Sequence, residues 1–157
     1  GYPDGYLEPT LDLRRDIARQ IRIHKPDVLI CLNPMRDLNV FYGVGHPDHI
    51  ASGEAALSAC FPAARDHLTF PELFTDEGLE PHKTAEAWIV GNNEPDFFVD
   101  VTNHIDTAVK ALLEHKSQVG DWKPEELDAR MKEWRRESAI GKGMMYAEAF
   151  KRIRFRM

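Results

Sequence analysis

The sequence predicts an α/β layered domain with a mostly parallel sheet, and three observations carry that reading. An amphipathic stretch over residues 9–25 runs straight into the continuously apolar "DVLICL" of 27–32, the order in which a helix feeds a strand covered on both faces. Two more strand-like runs follow, "AEAWIVG" at 85–91 and "DFFVDVT" at 96–102. Helical patterns separate and follow these runs, and such alternation is the mark of layered α/β folds.

The first helix is placed by Leu13, Ile17 and Ile21, which recur at four-residue steps with Ala18 beside them, so that one apolar stripe faces inward. Thr10 is its N-cap, and Pro26 within "HKPD" ends it, because a residue preceding proline avoids helical geometry. The strand at 27–32 leads into a loop, "NPMRDLNVFYGVG" at 33–45, which leaves the carboxyl end of the strand, the edge where open α/β sheets bind ligands. A small-residue helix runs from His46 to about Cys60, opened by Pro47 in its first turn. Residues 61–83, with prolines at 62, 71 and 81, read as a long surface excursion. "NHIDTAVKALLEHKSQ" at 103–118 is an amphipathic helix carrying Ile105, Val109, Leu112 and Leu113. Further helices are expected from about Pro124 to Ser138 and from about Met144 to Arg152.

Three strands leave the faces of so many helices uncovered, and the chain opens at Gly1 in the turn-rich "GYPDGYLEP". The expectation is therefore a single domain over residues 1–157, Rossmann-like and three-layered, truncated at the N-terminus so that its first strands are missing.

Composition narrows the function classes. The 157 residues are 43% hydrophobic and 29% charged, as in soluble globular chains. A net charge of −6 argues against a general nucleic-acid binder. The cluster of Lys151, Arg152, Arg154 and Arg156 reads as a solvated terminus. No apolar run approaches the ~20 residues that cross a bilayer, and no signal peptide is visible. Cys31 and Cys60 are too few for a disulfide framework; as buried free thiols they fit a reducing cytoplasm.

One stretch carries chemistry. In "GVGHPDHIASGEAAL" (43–57) two histidines stand three positions apart. With His46 as N-cap, Pro47, Asp48 and His49 take N1 to N3, and residues three apart project to the same side. The positive end of a helix dipole favours neutral imidazole, the form that ligates a metal. Gly43 and Gly45 before the helix permit close approach of backbone to a ligand. The same four residues also serve as ordinary capping chemistry. They are not the zincin motif, which has a glutamate and a four-residue spacing. A catalytic zinc needs three protein ligands and an open position, more than this motif holds.

Other candidates are weaker. His24, His67 and His82 read as solvated, and His104 and His115 as packing or capping residues. Ser52 and Ser117 sit in no nucleophile elbow, and no phosphate-binding glycine loop is present.

The order "GYPDG", "LRRDIARQIRIHKPDVLICL", "GHPDHIASGEAAL", "VDVT" and "KALLEHKSQ" resembles the PIG-L/LmbE-like family of zinc-dependent N-acetylglucosamine deacetylases. The similarity runs from Gly1 to about Gln118, with a fainter echo in "GMMYAEAFKRI".

The resemblance implies hydrolysis of the N-acetyl amide of a small amino-sugar conjugate, with Zn(2+) as cofactor. It implies that His49 ligates the zinc, that His46 polarises the amide carbonyl or serves as acid, and that Asp48 holds His46 in register. Some members place a tyrosine two residues before the first histidine; here that position is Val44, and Tyr42 stands two residues further away. The family's first motif, an "AHPDDE"-like run that supplies the other ligands and the base, is absent, and "YPDG" at 2–5 does not replace it. Those ligands are expected in the missing N-terminal part, so this chain alone is expected to hold zinc weakly and to be inactive. No nucleic acid or membrane span is implied, and a homo-oligomer remains open. Two alternatives stand beside this reading: a non-catalytic α/β binding module, and another metallohydrolase, acting on phosphoesters.

Overall fold

The computed structural model describes residues 1–38 and 45–156. Its elements, in chain order, are α1 (Leu11–His24), β1 (Val28–Leu32), α2 (Pro47–Ser58), a π-helical turn (Ala59–Ala63), α3 (Glu72–Thr75), β2 (Glu86–Val90), β3 (Phe97–Asp100), α4 (Ile105–Leu113), α5 (Lys116–Val119), α6 (Pro124–Ser138) and β4 (Ala147–Arg154). They pack as two units, one of Gly1–Glu94 with the residues from Lys151 onward, the other Pro95–Phe150.

In the first unit α1 begins as expected. The Thr10 side chain accepts the Leu13 amide, and the helix closes on Lys25, whose φ of 49° is left-handed. Leu13, Ala18 and Ile21 are buried along its inner stripe. Ala18 and Ile21 meet Ala59, Cys60, Ala63, Ala64 and Leu73 in the main apolar core. Arg22 lies in the same stripe, buried although charged. Its Nη2 donates to the carbonyls of Ala63, Asp66 and Thr69 at 3.0, 2.8 and 3.0 Å, so one guanidinium organises the loop that follows the π-helical turn. β1 pairs with β2 in parallel, Val28 opposite Glu86 through Leu32 opposite Val90. β2 pairs antiparallel with residues 151–154 of β4.

In the second unit β3 pairs antiparallel with residues 147–150 of β4. Ile105 and Val109 of α4 and Leu127 of α6 are buried, and Lys132 bridges Asp106 and Asp128, both at 2.8 Å.

The expected mostly parallel, Rossmann-like sheet is corrected. Among the described residues one strand pair is parallel and two are antiparallel. The cause is β4, which lies where the sequence suggests a helix over 144–152: Ala, Glu, Lys and Arg are helix formers, but pairing with two neighbours overrides that preference. The expectation that β1 is covered on both faces is corrected as well. Only Cys31 of β1 is buried, and Ile30, on the opposite face of the strand, is 58% exposed, so that face is left uncovered. The helix expected over 103–118 breaks at His115 into α4 and α5. Among the described residues no helix is long and apolar enough to cross a membrane. Both cysteines are buried and free.

Candidate active site

The site is built where α2 begins. The buried face of α2 is made of Ala51, Gly53, Ala55 and Ala56, so the helix can approach its neighbours closely. Gly53 makes the nearest approach: a Cβ there would stand 2.3 Å from the Leu32 carbonyl oxygen and 3.1 Å from the Pro34 nitrogen. The glycine thus seats α2 directly against the carboxyl end of β1, the edge the sequence marks for ligands.

The first turn has the arrangement read from the sequence. His46 is the N-cap and Pro47 opens the helix. The Asp48 amide donates to His46 Nδ1 at 3.3 Å, and the amides of His49 and Ile50 donate to the His46 carbonyl at 3.1 and 3.4 Å. Because Nδ1 is the acceptor, the neutral ring carries its proton on Nε2, which can donate outward. The His46 and His49 rings lie side by side, centroids 5.3 Å apart and tilted by 44°. Both histidines are exposed, so His49 does not turn into the hydrophobic interior. No hydrogen bond to the His49 ring nitrogens is found among the described residues.

Asp48 and Asp4 hold what the sequence did not disclose. The Asp48 carboxylate accepts the Gly5 amide at 2.7 Å and the Leu7 amide at 3.2 Å. The bond that orients His46 therefore comes from the Asp48 backbone, while the side chain reaches the N-terminal turn. Gly5, with φ of 80°, supplies the left-handed geometry that this turn needs. On the other side of Asp4, the Tyr2 hydroxyl donates to Asp16 of α1 at 2.8 Å. Hydrogen bonding to this hydroxyl lowers the Asp16 pKa, and Arg19 adds to the effect. Held from both sides, Asp4 joins His46 and Asp48 in a cluster whose ligating atoms all lie within 4.8 Å of one another. The sequence shows Asp4 only within a turn-rich opening; its sole signal is an acid before a glycine in an aromatic-flanked turn.

The remaining histidines play no part in this cluster. His24, His67, His104 and His115 are exposed, and neither His104 nor His115 makes a side-chain cap bond. His82 departs from the solvated reading: it is half-buried, with Nε2 2.9 Å from the Pro26 carbonyl. Gly43, the Val44 position and Tyr42 lie outside the described residues.

No family model matches the chain. A diacetylchitobiose deacetylase of Thermococcus kodakarensis is 25% identical over 128 residues, 78% of this chain and 45% of that protein. The chain spans about half the length of this curated relative. Among solved structures, the N,N'-diacetylchitobiose deacetylase of Pyrococcus horikoshii, complexed with an inhibitor, superposes with a TM-score of 0.82 at 22% identity, over 98% of this chain and 55% of that one. A conserved protein of Thermus thermophilus follows with a TM-score of 0.72 at 26% identity, over 96% of this chain and 62% of that one. The chain is a homologue of diacetylchitobiose deacetylase, with the fold of the PIG-L/LmbE-type deacetylases.

Proposed function

We propose that the chain carries one side of the active site of a metal-dependent N-deacetylase acting on an N-acetylglucosamine-type conjugate. The observation that supports this most is the state of His49, an exposed imidazole beside His46 at the helix start that Gly53 seats on the carboxyl end of β1. Its assigned role is that of a zinc ligand.

The residues present fit zinc in one respect and fall short in another. His49 offers an accessible nitrogen donor of the type zinc takes. The three-residue group found among the described residues, however, is Asp4, His46 and Asp48 and does not include His49. Both oxygens of Asp48 in that group already accept backbone amides. No complete three-donor centre is therefore formed around His49 by the described residues, and this chain by itself is expected to hold zinc weakly. When bound, zinc supplies Lewis acidity and a water acidic enough to ionise near neutral pH.

The chain's own residues do the following. His46 keeps Nδ1 engaged with the Asp48 amide, so its Nε2–H is aimed by that bond and donates to the acetyl carbonyl oxygen as charge develops there. Asp4 presents an exposed carboxylate beside His46. A carboxylate accepts hydrogen bonds only, which suits the hydroxyl groups of a sugar. Asp48 maintains this arrangement.

The test is acetate release by the complete enzyme from diacetylchitobiose and N-acetylglucosamine conjugates, run beside phosphoester substrates. Acetate release that is lost in His46→Ala supports the reading. Phosphoester turnover alone assigns the fold to a different hydrolase, and substrate binding without turnover assigns it to a binding module.

A further inference from the structure

We propose that Asp48 is a positioning residue that acts on the site through the turn at residues 4–7. The inference rests on the deacetylase reading for its kinetic consequence but not for its structural basis.

An acid in the first turn of a helix is ordinarily explained by the helix dipole. The side chain of Asp48 does more than sit there. Its Oδ2 and Oδ1 accept amides from Gly5 and Leu7, residues 43 and 41 positions earlier in the chain. Bonds to an ionised acceptor are about twice as strong as neutral ones, and both fall on the same short turn. Tyr2 anchors the other side of that turn on Asp16. Only Pro3 and Asp4 lie between the two anchors.

The ties hold the Asp4 backbone against an electrostatic push. The Asp4 carboxylate lies within 4.8 Å of the Asp48 carboxylate, and like charges at that range repel. The repulsion is opposed by the two amides that Asp48 draws from the same turn, so one aspartate both repels the Asp4 side chain and holds its backbone. The result is a backbone that presents the Asp4 carboxylate beside His46. Asp48 therefore governs substrate affinity by way of Asp4, and the His46 ring is aimed by the Asp48 backbone amide, which survives any substitution at this position except proline.

Amide hydrogen exchange on the chain, followed by NMR, reads the clamp directly. In Asp48→Ala the Gly5 and Leu7 amides are expected to exchange about tenfold faster or more, as loss of a charge-assisted bond implies, while the amides of 51–57 in α2 stay protected. Asp48→Asn keeps one acceptor oxygen and is expected to protect one of the two amides. Unchanged exchange at Gly5 and Leu7 overturns the proposal, and so does equal loosening of all of α2, which is the signature of a cap alone. In kinetics of the complete enzyme on an N-acetylglucosamine conjugate, Asp48→Ala and Asp4→Asn are each expected to raise KM about tenfold, the double variant no more than either alone. Additive effects, or a loss confined to kcat, overturn it. Exchange requires no turnover, so the clamp is judged by exchange on the chain, whereas absence of acetate release from the complete enzyme refutes the functional reading and leaves the clamp standing.

Discussion

Gly53→Ala tests whether α2 is truly seated on β1. An added Cβ would lie 2.3 Å from the Leu32 carbonyl oxygen, about 1 Å inside the 3.4 Å at which ordinary van der Waals contact begins. The obstacle is backbone, with the Leu32 carbonyl carbon at 3.0 Å and the Pro34 nitrogen at 3.1 Å, so no side-chain rotation relieves it. Either α2 or the end of β1 must retreat. Alanine gains about 1 kcal/mol over glycine in a helix interior, whereas overpacking of this kind costs about 3 kcal/mol. The net is a destabilisation of about 2 kcal/mol, or a fall in Tm of roughly 4–8 °C for a chain of this size. Thermal unfolding followed by circular dichroism measures it, with Glu54→Ala on the solvent side of α2 as a control that should change stability by about 0.5 kcal/mol or less. A Tm equal to or above that of the wild type would mean that propensity dominates. The close approach would then not be what sets the helix, and the argument that Gly53 places the site would fail.

Zinc titrated by equilibrium dialysis is expected to bind the chain weakly; in the complete enzyme it is expected to be lost in His49→Ala and retained in His46→Ala, and equal loss in both variants removes the division of roles. Arg22→Ala leaves the carbonyls of Ala63, Asp66 and Thr69 without their donor and opens a cavity, so a loss of about 3–4 kcal/mol is expected in urea unfolding. A change below about 1 kcal/mol would show that water replaces the guanidinium. Asp66 is held below the usual aspartate pKa, first by the Thr69 amide and then by the Leu68 amide, the Thr69 hydroxyl and Arg22. A lowered folded pKa means that this stabilisation is complete above the unfolded value of about 3.9 and drains away as pH falls through the folded one. Asp66→Asn should therefore flatten the acid limb of stability against pH below about pH 4, and an unchanged limb would refute the assignment.

Much of the first unit was legible because its signals are local. Thr10 as cap, the Leu13–Ile21 stripe, the proline that ends α1 and the His46–His49 turn each involve residues within one or two helical turns. β4 was not legible, since "AEAFKRIR" has helical composition and its strand conformation comes from Glu86–Ile89 and Phe97–Asp100, partners remote in sequence. The exposure of Ile30 was hidden for the same reason, because an apolar run does not disclose which elements pack against its two faces. Arg22 gave no sign of its burial: its position on the inner stripe of α1 is visible, but the carbonyls that receive it belong to a loop more than 40 residues away.

The candidate site divides along the same line. Four consecutive residues can specify a helix start and the spacing of two imidazoles, and they did. They cannot specify what the side chain between those imidazoles reaches. In this first turn each polar side chain has a different engagement: His46 accepts the Asp48 amide, Asp48 accepts Gly5 and Leu7, and His49 faces solvent. Had the motif served only as a cap, His46 alone would suffice, and neither a second exposed imidazole nor a carboxylate turned toward a distant turn would be needed. The arrangement makes sense if the first two residues hold the geometry and the third is kept available. That is why the weight of the functional reading falls on His49, and why its loss should remove the metal while leaving the fold intact.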